Sequence, residues 1–227
     1  MHYPESEILM SDTAARPNRM PGILIAVGAA ISLAMLFPSV GSDFYNADTK
    51  QEVLDVLADQ RAAWNFISWM NAVSAALVAI GLGLLGAQVR DLGGQVRVRR
   101  AGTAIVVGAI LMLTLAGIQV FIALASDETL AKYFSADGEF PAWLGVIYLL
   151  WSVGATIAFV ALGLSLIWTK HQRWLGWIII ILGPIAALVL AAVMGGTGTI
   201  PLLLLVGITM WASPVRDESG HVTTTAP

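Results

Sequence analysis

One stretch of this sequence, residues 64–90, limits the chain to a small set of folds. It reads WNFISWMNAVSAALVAIGLGLLGAQVR, and its only charged residue is the last one, Arg90. A helix of about 20 apolar residues crosses the hydrocarbon core of a bilayer. Such a stretch can enter lipid only as a helix, because a helix satisfies its own backbone hydrogen bonds. Residues 64–89 therefore predict a transmembrane helix.

The composition extends this prediction to the whole chain. Hydrophobic residues make up 57% of the sequence and charged residues 12%, with a mean hydropathy of +0.78, whereas soluble domains have about 25% charged residues. The predicted fold is an all-α, polytopic transmembrane helix bundle. The absence of cysteine excludes disulfides, thiolate nucleophiles and cysteine-bound metals. A net charge of −3 without a basic stripe gives no case for nucleic-acid binding.

Six spans arranged as three hairpins are predicted within a single bundle, residues 21–213, between flexible tails at 1–20 and 214–227. The spans cover about 22–38, 64–89, 101–125, 142–168, 174–194 and 200–213. The first run could also be the core of a cleaved signal peptide, but the long, acidic segment before it favours a retained helix. The last run is short, so it either crosses fully or only re-enters.

The orientation follows from the basic residues, because cytoplasmic loops of membrane proteins are enriched in Lys and Arg. Nine of the 12 basic residues fall on the side that holds both predicted termini: Arg16, Arg19, Arg90, Arg97, Arg99, Arg100, Lys170, Arg173 and Arg216. We expect a bacterial cytoplasmic membrane, with the N-terminus cytoplasmic and two acidic loops outside. Tryptophans near the span ends fit the two membrane interfaces better than a ligand cage.

The first outer loop predicts a short interfacial helix of its own. Thr49 and Glu52 have the spacing of a capping box. After them Val53, Leu54 and Leu57 share one face. The acidic residues around this face indicate a solvated surface, since their spacing does not match a calcium loop.

An internal repeat is suggested by an ungapped self-match. Residues 19–90 overlay residues 99–170 with 16 identities in 72 positions, and each copy runs from a basic turn through a span, an acidic loop and a second span to another basic turn. Either the two hairpins arose by duplication, as a parallel repeat, or they share only what membrane hairpins have in common.

Two sets of small residues four apart predict close helix packing. The two sets are Ala75, Ala79, Gly83, Ala87 and Gly183, Ala187, Ala191, Gly195. They could pack within the chain or between copies of it.

Chemistry at membrane depth is restricted by what the spans lack. No Asp, Glu, Lys, Arg or His falls inside a predicted span, and such residues mark proton relays and ion paths. The sequence also lacks an HExxH motif, a histidine pair for haem and a lysine for retinal in any span. We therefore predict a protein that is not an enzyme and that carries no cofactor and no metal.

Uncharged polar residues gather in the outer halves of the second, third and fourth spans. The candidate ligand-binding residues are Asn65, Ser68, Asn71, Gln119, Ser152 and Thr156. They could line an outward-facing cavity for a neutral or amphipathic molecule, such as a lipid or a quinone-like compound. Their side chains could equally form hydrogen bonds between helices, which contribute about 0.6 kcal/mol each and are common in bundles.

The layout resembles uncharacterised bacterial six-helix membrane families, of the domain-of-unknown-function type. The likeness rests on the basic turn before the first span, the acidic outer loop and the sequence RWLGW at 173–177. It implies a bacterial membrane and supplies no catalytic residues. We expect a binding or accessory subunit whose partners are membrane lipids, a neutral or lipid-like ligand, or the other subunits of a homo-oligomer or larger membrane complex. The alternative is a small permease for a neutral solute.

Overall fold

A computed structural model shows an all-helical chain, as the composition predicts. It describes residues 19–40, 48–92, 94–135, 138–139, 141–170, 172–190 and 199–212, and no strand occurs within these ranges. The helices are α1 (Met20–Val40), α2 (Lys50–Leu92), α3 (Val96–Leu124), α4 (Asp127–Phe134), α5 (Ala142–Trp168), α6 (Arg173–Ile185) and α7 (Ile200–Ala212), with a π-helical turn at Ala186–Leu190 after α6. The predicted flexible tails, save for residues 19 and 20, and most of the glycine turn after residue 194 lie outside the described residues.

Three helices are long and apolar enough to cross a membrane. They are α2, α3 and α5, and the described apolar parts of α1, α6 and α7 are shorter. Helix α5 covers the same residues as the fourth predicted span. The chain is therefore a helix bundle with the composition and helix lengths of a membrane protein.

The predicted interfacial helix is wrong as a separate element. Its capping box is present, because the Glu52 amide donates to Thr49 Oγ1 at 3.3 Å and the Thr49 amide donates to the Glu52 carboxylate at 3.4 Å. The helix that begins there continues without a break through the second predicted span, giving 43 residues in α2. Such a helix is about 64 Å long, so roughly half of it extends beyond a ~30 Å hydrocarbon core.

The long helices pack side by side in the order α6, α5, α3, α2, α1, α7. Helix α1 contacts α2, α2 contacts α3, α3 contacts α5 and α5 contacts α6. Helix α7 returns to pack against α1. One apolar core runs through the row and includes a fully buried side chain from each of these six helices, namely Ile25, Leu82, Ile105, Leu162, Ile179 and Val206. Helix α4 packs against α2.

Glycines set the closest contacts between neighbouring helices. A Cβ atom added at Gly102 would lie 2.4 Å from the Arg90 amide nitrogen and 2.6 Å from the Gly86 carbonyl oxygen, so the α2 and α3 backbones touch here. A Cβ at Gly83 would meet Ala109 at an ordinary 3.8 Å. The tightest seam of α2 therefore passes through Gly86 and not through the predicted ladder at Gly83.

Candidate functional site

The two ends of the bundle differ in construction. At one end, residues 50–64 of α2 and helix α4 form a cap over a second apolar cluster that includes Val53, Leu57 and Leu144, each at most 1% exposed. This is called the capped end. The opposite, basic end holds the turns around Arg90 and Lys170. The sequence reading missed α4, although Ser126 before two acidic residues is a typical helix start, and its side chain does accept from the Thr129 amide.

The polar residues of α2 do not share one face. They are spaced three residues apart, so each lies about 60° further round the helix. Asn65 and Ser68 lie five full turns before Gly83 and Gly86, on the side that contacts α3. Ser74 is on the opposite side, where its hydroxyl donates to the Gly28 carbonyl at 2.7 Å and lies 2.5 Å from Ser32 Oγ.

Asn71 lies between these two sides and faces the interior of the bundle. It is about 20° from Val78 on the helical wheel, and Val78 is 4% exposed in the core. Asn71 itself is only half-buried. Its amide makes no hydrogen bond to another described residue. The Ser74 side chain therefore joins two helices by hydrogen bonds, whereas the Asn71 side chain forms no such bond within the described residues.

Gln119 occupies the matching place on α3. It follows the buried Met112 by seven residues, so both lie on the interior face, and it is also half-buried. Helices α2 and α3 run antiparallel, with Gly83 beside Ala109. Counting at 1.5 Å per residue from that contact places Asn71 and Gln119 within about one turn of the same level. No hydrogen bond joins the Gln119 amide to the rest of the described chain.

Ser152 and Thr156 lie deeper in the bundle than the sequence suggests. Gly154 packs beside Met112 of α3, which places Ser152 about 10 Å below Gln119. The Thr156 hydroxyl donates to the Ser152 carbonyl of its own helix at 2.8 Å. The helix contacts therefore place Asn71 and Gln119 near one level, with Ser68 and Asn65 nearer the cap and the two α5 residues further from it.

Arg61 is a polar residue of this end that the sequence did not single out as a candidate site residue. Its Nε lies 3.1 Å from Asp127 Oδ1, and its Nη2 donates to the Ala125 carbonyl at the end of α3. Its Nη1 and the Oδ1 of Asn65 are buried, and neither has a hydrogen-bond partner among the described residues. A buried polar atom left unpaired costs about 1–3 kcal/mol, so these two atoms need an explanation.

The basic end has a different set of interactions. The Arg97 guanidinium lies 5.5 Å from the ring centroid of Trp168, which joins the start of α3 to the end of α5. The hydrogen bond that Arg90 Nε donates to Asp91 Oδ1, together with the negative charge of Asp91, raises the pKa of Arg90 above its ordinary value. Within the described ranges no group of three or more His, Asp or Glu residues could hold a metal ion.

Comparisons with known proteins add no function. No protein-family model, no curated protein and no solved structure matches this chain.

Proposed function

We propose that the protein is a non-catalytic, multi-pass membrane protein that binds a neutral amphipathic molecule at its capped end, as a binding or accessory subunit. The observation that supports this most is the pair Asn71 and Gln119. Two uncharged amides face the interior at one level, half-buried and without a hydrogen bond to another described residue. Amides that joined helices would be bonded to each other or to a neighbouring backbone, as Ser74 is.

Exposed tryptophans support a position in the membrane. Trp69 and Trp143 lie near the capped end, and Trp174 and Trp177 near the basic end, each between 42% and 57% exposed. The Gly163–Gly176 contact fixes how α6 lies along α5. Measured along α5, the two pairs are then about 28–33 Å apart, close to the ~30 Å hydrocarbon core.

The distribution of basic residues gives this placement a direction. Most Lys and Arg residues lie beyond the second tryptophan pair, which supports a cytoplasmic basic end and an outward-facing cap. In this orientation α1, α2, α3, α5, α6 and α7 cross the membrane, the N-terminus is cytoplasmic, and Asn71 lies at the outer interface. The layout then agrees with the bacterial six-helix families that the sequence resembles.

Packing below the amides favours binding over transport. Val78, Leu82, Ile105, Met112 and Ala155 lie between Asn71 and the basic end, and each is at most 4% exposed. A permease needs a path through this region, and the helices here are in close contact. The proposed site is therefore confined to the part of the bundle nearer the cap.

Equivalent helix contacts support the proposed duplication. A Cβ at Gly28 would lie 2.8 Å from the Ser74 carbonyl oxygen, and a Cβ at Gly108 would lie 2.5 Å from the Gly154 carbonyl oxygen. The two pairs are related by the same shift of 80 residues that relates the two sequence copies. Asn71 corresponds to Trp151 in the second copy, which is 2% exposed, so the copies differ most where the site is proposed.

The test is to identify what the protein retains in mild detergent. We expect mass spectrometry to find a neutral amphipathic molecule with the purified protein, and its amount to fall at least about tenfold in the double variant Asn71→Leu, Gln119→Leu. The control is Gln51→Leu, an amide exposed on the outer part of α2. If the double variant is less stable but retains the same lipid, the amides join helices and the proposal fails.

A further inference from the structure

We propose that Arg61 and Asn65 bind the uncharged, hydroxylated head group of the amphipathic molecule. This inference rests on the function proposed above and gives its ligand a chemical class. Nothing in the sequence alone pointed to Arg61, because its partners come from the end of α3 and the start of α4.

The first half of the site is the Arg61 guanidinium, whose Nη1 nitrogen is left without a partner among the described residues. Arg61 Nε lies 3.1 Å from Asp127 Oδ1 in an ion pair, and the Ala125 carbonyl accepts a hydrogen bond from Nη2. These two contacts fix the plane of the guanidinium. Its Nη1 is buried and has no hydrogen-bond partner in the described part of the chain.

The second half is an acceptor one turn further along α2. Asn65 follows Arg61 by four residues, so the two side chains lie on nearly the same face. The Asn65 Oδ1 atom is also buried without a partner in the residues described. A buried donor and a buried acceptor thus come from residues one turn apart on α2, at the end of the bundle where Leu57 and Ala125 belong to the apolar cluster.

The charges select the ligand group. Asp127 offsets the charge of Arg61, so the site is neutral as a whole. An anionic head group would be repelled by Asp127 and by the Asn65 oxygen. A cationic head group would be repelled by the guanidinium. A hydroxyl group accepts from Arg61 Nη1 and donates to Asn65 Oδ1, which satisfies both atoms at once.

Asn71 lies on a neighbouring face of α2, about 120° round the helix from Asn65 and nearer the basic end. Asn65 and Asn71 are separated by about 9 Å along the helix axis, with the buried Ser68 between them. A head group with several polar atoms spans this distance better than a simple alcohol does. A glycerol ester has the required groups: hydroxyls that can bind Arg61 and Asn65, and an ester carbonyl that can accept from the Asn71 amide.

The experiment compares three oleoyl lipids on the purified full-length protein by native mass spectrometry. Mono-oleoylglycerol offers hydroxyls, methyl oleate has the same chain without a donor, and oleoyl lysophosphatidate carries a negative head group. We expect the protein to bind mono-oleoylglycerol at least about tenfold more tightly than either of the others.

Two variants locate this preference. Asn65→Leu removes the acceptor. Asn65→Asp leaves the side-chain size unchanged and places a carboxylate where it can accept a hydrogen bond from Arg61 Nη1. In both we expect the affinity for mono-oleoylglycerol to fall to that for methyl oleate, with methyl oleate binding unchanged. Gln51→Leu, outside the site, should behave as the unaltered protein.

The outcomes separate this inference from the proposed function. If both Asn65 variants keep the preference, the two buried atoms hold water only and the inference is overturned. If, in addition, Asn71→Leu weakens all three lipids, the proposed function stands without it. Tightest binding of lysophosphatidate overturns the inference alone. If none of the lipids shows saturable binding, both proposals fail.

Discussion

The interface between α2 and α3 is built in two ways along its length. Towards the basic end the two backbones touch, with Gly86 against Gly102. Towards the capped end the same helices are joined by a long side chain, as Arg61 reaches Ala125 and Asp127. Between these regions lie Asn71 and Gln119, half-buried and without a hydrogen bond to other described residues.

This difference indicates that the two halves of the α2–α3 interface have different roles. Backbone contact at glycines leaves no room for variation, so it fixes the register of α2 against α3. A contact made by long side chains does not require the two backbones to touch, so it fixes the register less strictly. The glycine half should therefore determine stability, and the capped half should determine binding. Substitutions in the two halves can separate these roles.

The largest effect is expected where the backbones touch. Gly102→Ala places a methyl group 2.4 Å from the Arg90 amide nitrogen. Backbone cannot move aside as a flexible side chain can, so we expect a loss of about 1–3 kcal/mol or more in the free energy of unfolding. Unfolding of the purified protein by SDS in mixed micelles measures it.

Gly117→Ala is the matched control, on the same helix. Nothing lies within 4 Å of a Cβ atom there, and alanine favours a helix over glycine by about 1 kcal/mol. Gly117→Ala should therefore leave stability unchanged or raise it. Equal losses in both variants would mean that the α2–α3 contact is not the cause.

A smaller and more local effect is expected at the cap. Arg61→Met removes the hydrogen bond to Ala125 and the ion pair with the half-exposed Asp127. Loss of the charged hydrogen bond, partly offset by removal of the unpaired Nη1, should lower the free energy of local opening of α4 by about 1 kcal/mol. Amide hydrogen exchange of residues 127–134 measures this change.

Arg90→Met is the control for this prediction. Arg90 also forms an ion pair, with the neighbouring Asp91, but both side chains are exposed. No measurable change in exchange is expected, because exposed ion pairs contribute little. Unchanged exchange of α4 in Arg61→Met would show that the apolar cluster alone holds the cap.

A modest effect is expected where a polar residue does join two helices. Ser74→Ala removes the hydrogen bonds to Gly28 and Ser32, between α2 and α1. Bonds of this kind contribute about 0.6 kcal/mol in membrane bundles, and the same SDS titration can resolve a change of that size. Ser165→Ala, equally buried but bonded within its own helix to Leu162, should cost less or nothing. If the two variants lose the same stability, the bond between helices is not what matters at Ser74.

The sequence allowed the helices to be predicted better than the contacts between them. Apolar run lengths located α5 and α3, and the capping spacing located the start of α2. The continuity of α2 was missed, because charged residues such as Asp59 and Arg61 suggested a break before Trp64. They lie in a part of the helix that extends beyond the apolar span, where charge is no obstacle.

The level of the polar residues along the bundle could be predicted only in part, and the reason is physical. Each residue was placed by its position within its own span. The true level depends on where neighbouring helices touch, and Gly108 meets Gly154 at a point that puts Ser152 well below Gln119. Arg61 was overlooked for the same reason, since its partners lie about 64 residues away in sequence and only the packing of α4 brings them near.

The smallest stability effect is expected at Asn71, and it is the sharpest test of the division between the two halves. Asn71→Leu replaces a half-buried amide that has no hydrogen bond to other described residues by an apolar side chain of similar size. Because no bond is lost and leucine favours a helix, the SDS titration that detects Ser74→Ala should show no loss of stability, or a slight gain. A loss as large as that of Ser74→Ala would mean that Asn71 also joins helices, and that the capped half differs from the glycine half in its contacts but not in its role. Retained stability with less bound lipid would instead mean that Asn71 is kept polar for its ligand, at a position where packing alone favours leucine.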